Sequence, residues 1–258
     1  MAIAFIHSFQ SEWIKKKRSL ASWLVIVGGF FIPAILLIGR FYNFDGIAAA
    51  NAADNIWDRL YSRCWQFMGM FLLPMGVILA SSLVTQIEFR NNSWKQLHAS
   101  PQRFSTIFFS KLLVILLMLL QFFILFNLGV YLLGTIPALF FSSIPFPKQA
   151  FSLSLLLKQN TPYLIACLPV VALQYLISLQ FRNFLVPIGC GLGLLVASLI
   201  ALSWKYGYIV PYSYCAYAFL GKKVLSNPSV NTNYWALGYF IGIIVLAFVL
   251  YVNRRERG

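Results

Sequence analysis

Residues 15–39 read KKKRSLASWLVIVGGFFIPAILLIG: four basic residues and a serine, then twenty residues without a charge. A helix of roughly 20 mostly apolar residues crosses a bilayer core, and Leu20 to Gly39 supplies one. Basic-then-apolar is also the order of a signal peptide, and Ala48-Ala49-Ala50 offers small residues for cleavage. A signal core, however, runs to only about 7–15 apolar residues, so the segment is read as an uncleaved anchor.

The rest of the chain repeats this pattern. Of its 258 residues 60% are hydrophobic and 10% charged, against roughly 25% charged in a soluble domain. So little polar surface cannot face water on all sides, and the apolar surplus is expected to face lipid. The net charge is +14, but few basic residues lie together. Basic loops held against anionic lipid explain it better than a nucleic-acid partner.

Further spans are expected at about 65–87, 104–136, 163–179, 184–204 and 234–252, with Pro74 kinking the second. The chain is therefore one transmembrane unit, 1–258, an all-α integral membrane protein with six transmembrane helices. Six crossings leave both termini on one side. With that side inside, twelve of the 20 basic residues fall on inner segments. The first outer loop, with Arg40, Arg59 and Arg63 against Asp45, Asp54 and Asp58, is neutral. The bias predicts cytoplasmic termini.

At the inner surface, Ile6, Phe9 and Trp13 form a helical stripe, with Ser8, Ser11, Glu12 and Lys15 off it. Residues 2–18 are expected to form an amphipathic interfacial helix with that stripe in lipid, the alternative being an extension of the first span. Between the second and third spans lies EFRNNSWKQLHASPQR, residues 88–103. Asn92 or Ser93 is suited to cap a short helix through Leu97, and Ser100-Pro101 reads as an N-cap with proline first in the next helix. Trp94 and Leu97 share a face, suited either to a partner's groove or to anchoring at headgroups. Glu88, a carboxylate at the lipid boundary, calls for a cation such as Arg90 or Lys95.

Outside, residues 137–162 carry four prolines and the half-apolar run Phe151 to Leu157, which suggests a surface helix. Residues 205–233 are apolar in the middle, rich in tyrosine and broken by Pro211; they suggest a re-entrant or interfacial hairpin covered by protein, or an aromatic belt. Gly189–Gly193 and Gly238–Gly242 are GxxxG patterns that let helices approach closely. Cys64, Cys167, Cys190 and Cys215 form no CxxC, so metal ligation is not expected. A Cys64–Cys215 disulfide is an open alternative to free buried thiols.

The spans lack the intramembrane acids and histidines of ion-coupled transporters. There is no HExxH, GxSxG or GxxxxGK[ST], so no catalytic or metal site is assigned, and any ATP must be bound by another subunit.

Ser11 to Ser19 (SEWIKKKRS), Glu88 at the inner end of the second span, Trp94-Lys95-Gln96-Leu97, and Pro101 with Lys111 together resemble the permease subunits of ABC type-two exporters. Within these, the likeness is to lantibiotic-immunity and bacitracin-resistance permeases, and it covers essentially the whole chain. The resemblance implies a bacterial cytoplasmic-membrane exporter of an amphipathic, peptide or lipid-like substrate. It implies that residues 92–100 are a coupling helix in a cytoplasmic ATP-binding subunit, flanked by Glu88 and Arg90. It further implies that 205–233 is a re-entrant hairpin, that two permeases pair as a homodimer or heterodimer, and that the second and fifth spans line the path. The ATPase-coupling residues expected on this basis are Glu88, Arg90, Trp94, Lys95, Leu97 and Pro101. Membrane lipids are the remaining partner. A non-transporting membrane scaffold and a lipid-modifying membrane enzyme are the competing readings, the second lacking a polar constellation in the sequence.

Overall fold

A computed structural model describes residues 2–17, 19–43, 46–90, 103–181, 183–221 and 230–253, and among them all regular structure is helical. Helix α1 spans Ala2–Lys17, α2 Leu20–Tyr42, α3 Ile47–Ala52 and α4 Ile56–Phe67. A π-helical turn, Met68–Leu72, joins α4 to α5, Leu73–Arg90. Helix α6 is Phe104–Phe140, α7 Leu153–Gln180 and α8 Leu185–Ala201. Two 3₁₀ turns, Gly207–Ile209 and Pro211–Ser213, lead into α9, Tyr214–Leu220, and α10 is Thr232–Asn253.

By length and composition five segments suffice to cross a membrane: Leu20–Tyr42, Ile56–Ile87, Phe104–Phe140, Leu153–Gln180 and Thr232–Asn253. Helix α8 is equally apolar but has 17 residues. The chain is thus a multi-pass membrane protein built wholly from helices among its described residues.

Several boundaries differ from the sequence expectation. The second span begins earlier, because α4 continues through the π turn into α5. Proline cannot donate to the preceding turn, and its ring crowds the carbonyl four residues back. The π turn ends two residues before Pro74 and absorbs that mismatch, as such bulges do. The run Phe151 to Leu157 is not a separate surface helix: Leu153–Gln180 is one helix through Pro162 and Pro169. Ser152 caps it, its Oγ accepting from the Leu155 N–H at 3.3 Å. Within it, Asn160 Nδ2 donates to the Leu156 carbonyl at 2.6 Å.

Helix α6, at 37 residues roughly 55 Å long, is the mast on which α2 and α1 are mounted. Where α2 crosses it, a Cβ on Gly29 would stand 2.8 Å from Leu125, and one on Gly129 2.9 Å from Pro33. Deeper in the bundle Trp65 stacks on Tyr163, ring centroids 3.7 Å apart. Tyr61 donates to Asn127 and Asn160 Nδ2 donates to the same oxygen, joining α4, α6 and α7. Interhelical polar bonds of this kind hold spans together where lipid offers no hydrophobic drive between them.

Within 205–233, residues 212–217 are covered by protein. Tyr212, Tyr214, Cys215, Ala216 and Tyr217 are buried, while Tyr206 is exposed. The Tyr212 hydroxyl donates to Gln174 Oε1 at 3.0 Å, and the Tyr214 hydroxyl to the Tyr208 carbonyl at 2.7 Å. Helix α9 ends at Gly221, whose φ of +71° favours glycine.

All four cysteines are free thiols. Cys215 lies not against Cys64 but against Cys167, Sγ to Sγ 3.6 Å, so the Cys64–Cys215 pairing is replaced by a contact between α9 and α7.

Candidate functional site

Three features could carry function, and each begins with polar residues where a membrane helix can least accommodate them. The first is the seam between α1 and α6. Helical spacing puts Ser8, Glu12 and Lys16 on one face of α1, and that face is buried, while Ile3, Ile6 and Ile14 are exposed. Phe9 and Trp13 are half-buried against the core. The helix is amphipathic as the spacing indicates, but its polar stripe turns inward, because α6 offers complementary partners. Ser8 Oγ lies 3.0 Å from Ser110 Oγ. Glu12 accepts from Lys111 Nζ and from Lys15 Nζ, each at 2.7 Å. Lys16 Nζ donates to Gln121 Oε1 at 2.6 Å and sits 4.3 Å from the Trp13 ring centroid.

Burial opposes the charge on Glu12, but Lys111 and Lys15 outweigh it and hold the carboxyl at about 2. Burial, with Lys17 adding to it, pulls the Lys16 ammonium below its usual range. Charges this deep are tolerated only when paired, and the pairing welds α1 to the N-terminal half of α6.

The second feature is the C-terminal end of α5. Thr85 and Gln86 are buried, and Gln86 Nε2 donates to the Phe181 carbonyl at 2.7 Å and the Ser178 carbonyl at 3.3 Å. These carbonyls lie at the C-terminus of α7, where backbone acceptors lack helical donors. Gln86 therefore clasps the end of α7. Glu88 and Arg90 follow on the last turn of α5. Trp94, Lys95, Leu97 and Pro101, with the whole expected coupling helix 92–100, lie outside the described residues.

The third feature is a cleft of about 280 Å³ between α2, the π turn, α5 and α6. Leu24, Phe31, Met68, Leu72, Met75 and Phe122 line it, together with Ser81. The Ser81 hydroxyl is buried without a hydrogen-bond partner, an uncommon condition for a buried polar atom. Immediately behind it runs a polar ladder. Gln174 Nε2 donates to Ser82 Oγ and to the Pro187 carbonyl, both at 2.8 Å, and Ser178 Oγ lies 3.4 Å from Ser82 Oγ. An apolar cleft beside a π turn and a polar ladder can admit an apolar chain and change shape; it holds no acid–base or nucleophilic pair.

Of the glycines expected to pack helices, Gly189, Gly193, Gly238 and Gly242 have no atom within 4 Å of a built Cβ. Among the described residues, nothing packs closely against them. The close approaches fall on isolated glycines opposite large side chains, among them Gly134 against Trp57 and Gly191 against Gln174 and Ile78. No spacing pattern marks these in the sequence. Gln86 and Gln174 were equally unremarked, although a glutamine inside an apolar run is a visible signal for an interhelical bond.

A family model described as "ABC-2 family transporter protein" matches residues 8–198. The match takes in α1 from Ser8 onward, the α1–α6 clamp, the cleft, the C-terminal end of α5 and all of α7. No curated protein and no solved structure matches the chain.

Proposed function

The chain belongs to the ABC-2 transporter family, and from that premise we propose that it is the membrane-spanning permease subunit of an ATP-driven exporter of an amphipathic, peptide or lipid-like substrate. A separate cytoplasmic ATP-binding subunit supplies the energy. Residues 92–100 form the coupling helix seated in that subunit, with Trp94 and Leu97 as its anchors and Glu88, Arg90, Lys95 and Pro101 around it. Helix α8 is the fifth of six crossings, both termini are cytoplasmic, and 205–233 folds back into the outer face. The membrane is the bacterial cytoplasmic membrane.

The observation that carries this reading is the Gln86 clasp. A force applied just beyond Arg90 reaches the C-terminus of α7 through two hydrogen bonds, and the other end of α5 is the π turn that borders the cleft. A push on the inner loop is thereby delivered both to a second span and to a wall of the cleft. The α1–α6 clamp supports it by giving α5 a fixed neighbour to move against. The exposed glycines Gly189, Gly193, Gly238 and Gly242 suit a close approach by a second permease copy or relative. The proposal fits the resemblance to lantibiotic-immunity and bacitracin-resistance permeases.

Reconstitution with a cytoplasmic ATP-binding subunit of an ABC transporter tests the reading. ATP hydrolysis by the complex rises when an exported amphipathic peptide is added, and Gln86→Leu lowers that stimulation while leaving the subunits associated. A complex whose hydrolysis never responds to substrate, or a Gln86→Leu complex that responds like the wild type, would contradict it.

A further inference from the structure

At the ends of α2, α3, α4 and α6 away from the α1 clamp lies a second cavity, of about 990 Å³. Leu36, Ile56 and Leu60 line it together with the guanidinium-bearing Arg40, Arg59 and Arg63. Arg40 is half-buried and fixed: Nη1 donates to the Leu133 carbonyl and Nη2 to Asn51 Oδ1, each at 2.6 Å. Asn51, itself fully buried, is held by the Pro145 carbonyl at 2.9 Å. Arg59 and Arg63, both exposed, stand one turn apart on the same face of α4.

By count this stretch of sequence is neutral, so bulk charge says nothing; placement does. Asp54 does not line the cavity, and Asp45 lies outside the described residues. Asp58 does line it, and its Oδ1 accepts from Gln159 Nε2 at 2.7 Å. Among the described residues none of the three arginines forms an ion pair, and Arg63 is close enough to Arg40 for their charges to repel. Among the described residues the cavity therefore gathers three guanidiniums against one carboxylate, Asp58, and a half-buried guanidinium such as Arg40 calls for an anion.

We infer that this cavity binds the anionic phosphate headgroup of a membrane lipid, with the lipid's chain lying along its apolar wall. Guanidinium forks match phosphate oxygens bidentately, and Arg40 presents N–H groups beyond the two it spends on protein. The cavity is larger than a free phosphate needs and falls in the range of roughly 300–1,000 Å³ typical of ligand sites. Its apolar wall favours a phosphate that carries a hydrocarbon chain. On the proposed topology the lipid belongs to the outer leaflet.

The purified full chain, in micelles doped with phosphatidylglycerol or with phosphatidylcholine, tests the inference by native mass spectrometry of retained lipid. Phosphatidylglycerol is retained in preference, and Arg59→Gln with Arg63→Gln weakens its retention about tenfold, as loss of charge-assisted bonds does. Asp58→Asn, which keeps an acceptor for Gln159, strengthens retention and serves as the readout should the double variant fail to fold. Equal retention of the two lipids overturns the inference, as does a folded double variant that still prefers phosphatidylglycerol. Complete displacement of the lipid by inorganic phosphate assigns the cavity to a free anion and overturns the lipid. No ATP-binding subunit is present in the assay, so its failure and failure of the transport reading are distinguishable.

Discussion

The Glu12 carboxylate on α1 accepts a 2.7 Å hydrogen bond from the Lys111 ammonium on α6, 99 residues away in sequence. Both side chains are almost fully buried, so neither charge has water to fall back on. Glu12→Gln leaves Lys111 as a buried cation short of its counter-charge and is expected to destabilise the fold by about 3–5 kcal/mol. Glu12→Gln combined with Lys111→Met removes both charges and restores much of the loss. Thermal unfolding in detergent reads this out; a single variant that melts with the wild type would show that the clamp contributes nothing.

The same pair sets a pH dependence. The Glu12 carboxyl is depressed from its usual 4.5 to about 2, so the ionised form stabilises the folded state. For a depressed acid that contribution is fully present above the unfolded value and is lost as pH falls through the folded one. The stability gap between wild type and Glu12→Gln therefore holds steady from neutral pH to about 4.5 and narrows toward about 2. A gap that closes above pH 5 would contradict the clamp.

Glycine substitutions separate packing within the chain from packing beyond it. Gly129→Ala sets a methyl 2.9 Å from Pro33, and Gly29→Ala one 2.8 Å from Leu125; each is expected to cost about 1–3 kcal/mol by overpacking. Gly238→Ala and Gly242→Ala meet nothing within 4 Å and leave the monomer's melting unchanged. Any effect they have appears in the oligomeric state, measured by light scattering.

Mild oxidation distinguishes the thiol contacts. Cys167 and Cys215 lie sulfur to sulfur at 3.6 Å, whereas Cys64 has no thiol neighbour among the described contacts. Copper-phenanthroline is expected to join Cys167 to Cys215 within one chain, found by peptide mass mapping. A Cys64–Cys215 crosslink in its place would contradict the position of α9.

The span-forming segments were legible because lipid solvation demands about 20 apolar residues in a row, a signal that needs no tertiary information. Leu20–Tyr42 and Thr232–Asn253 follow from it almost to the residue. The unity of Leu153–Gln180 did not, since Pro162 reads locally as a break and yet the helix runs through it. The amphipathic period of α1 was legible, but which face turns inward depended on Lys111 and Gln121, more than 90 residues distant. The close approaches within the described chain fall on single glycines such as Gly29 and Gly129, which no spacing marks, because a close approach is defined by the large residue opposite. Glu88 and Arg90 lie on the last turn of α5, near the boundary expected of the second span. The Gln86 clasp was missed, although its polar side chain inside an apolar run was in plain view.

Co-purification of the chain with its ATP-binding subunit tests the central claim most directly. The account predicts that the wild-type pair assembles and that Trp94→Asp with Leu97→Asp abolishes assembly, while the permease itself stays folded in the membrane. A doubly substituted chain that still holds the ATP-binding subunit would contradict the coupling role assigned to residues 92–100.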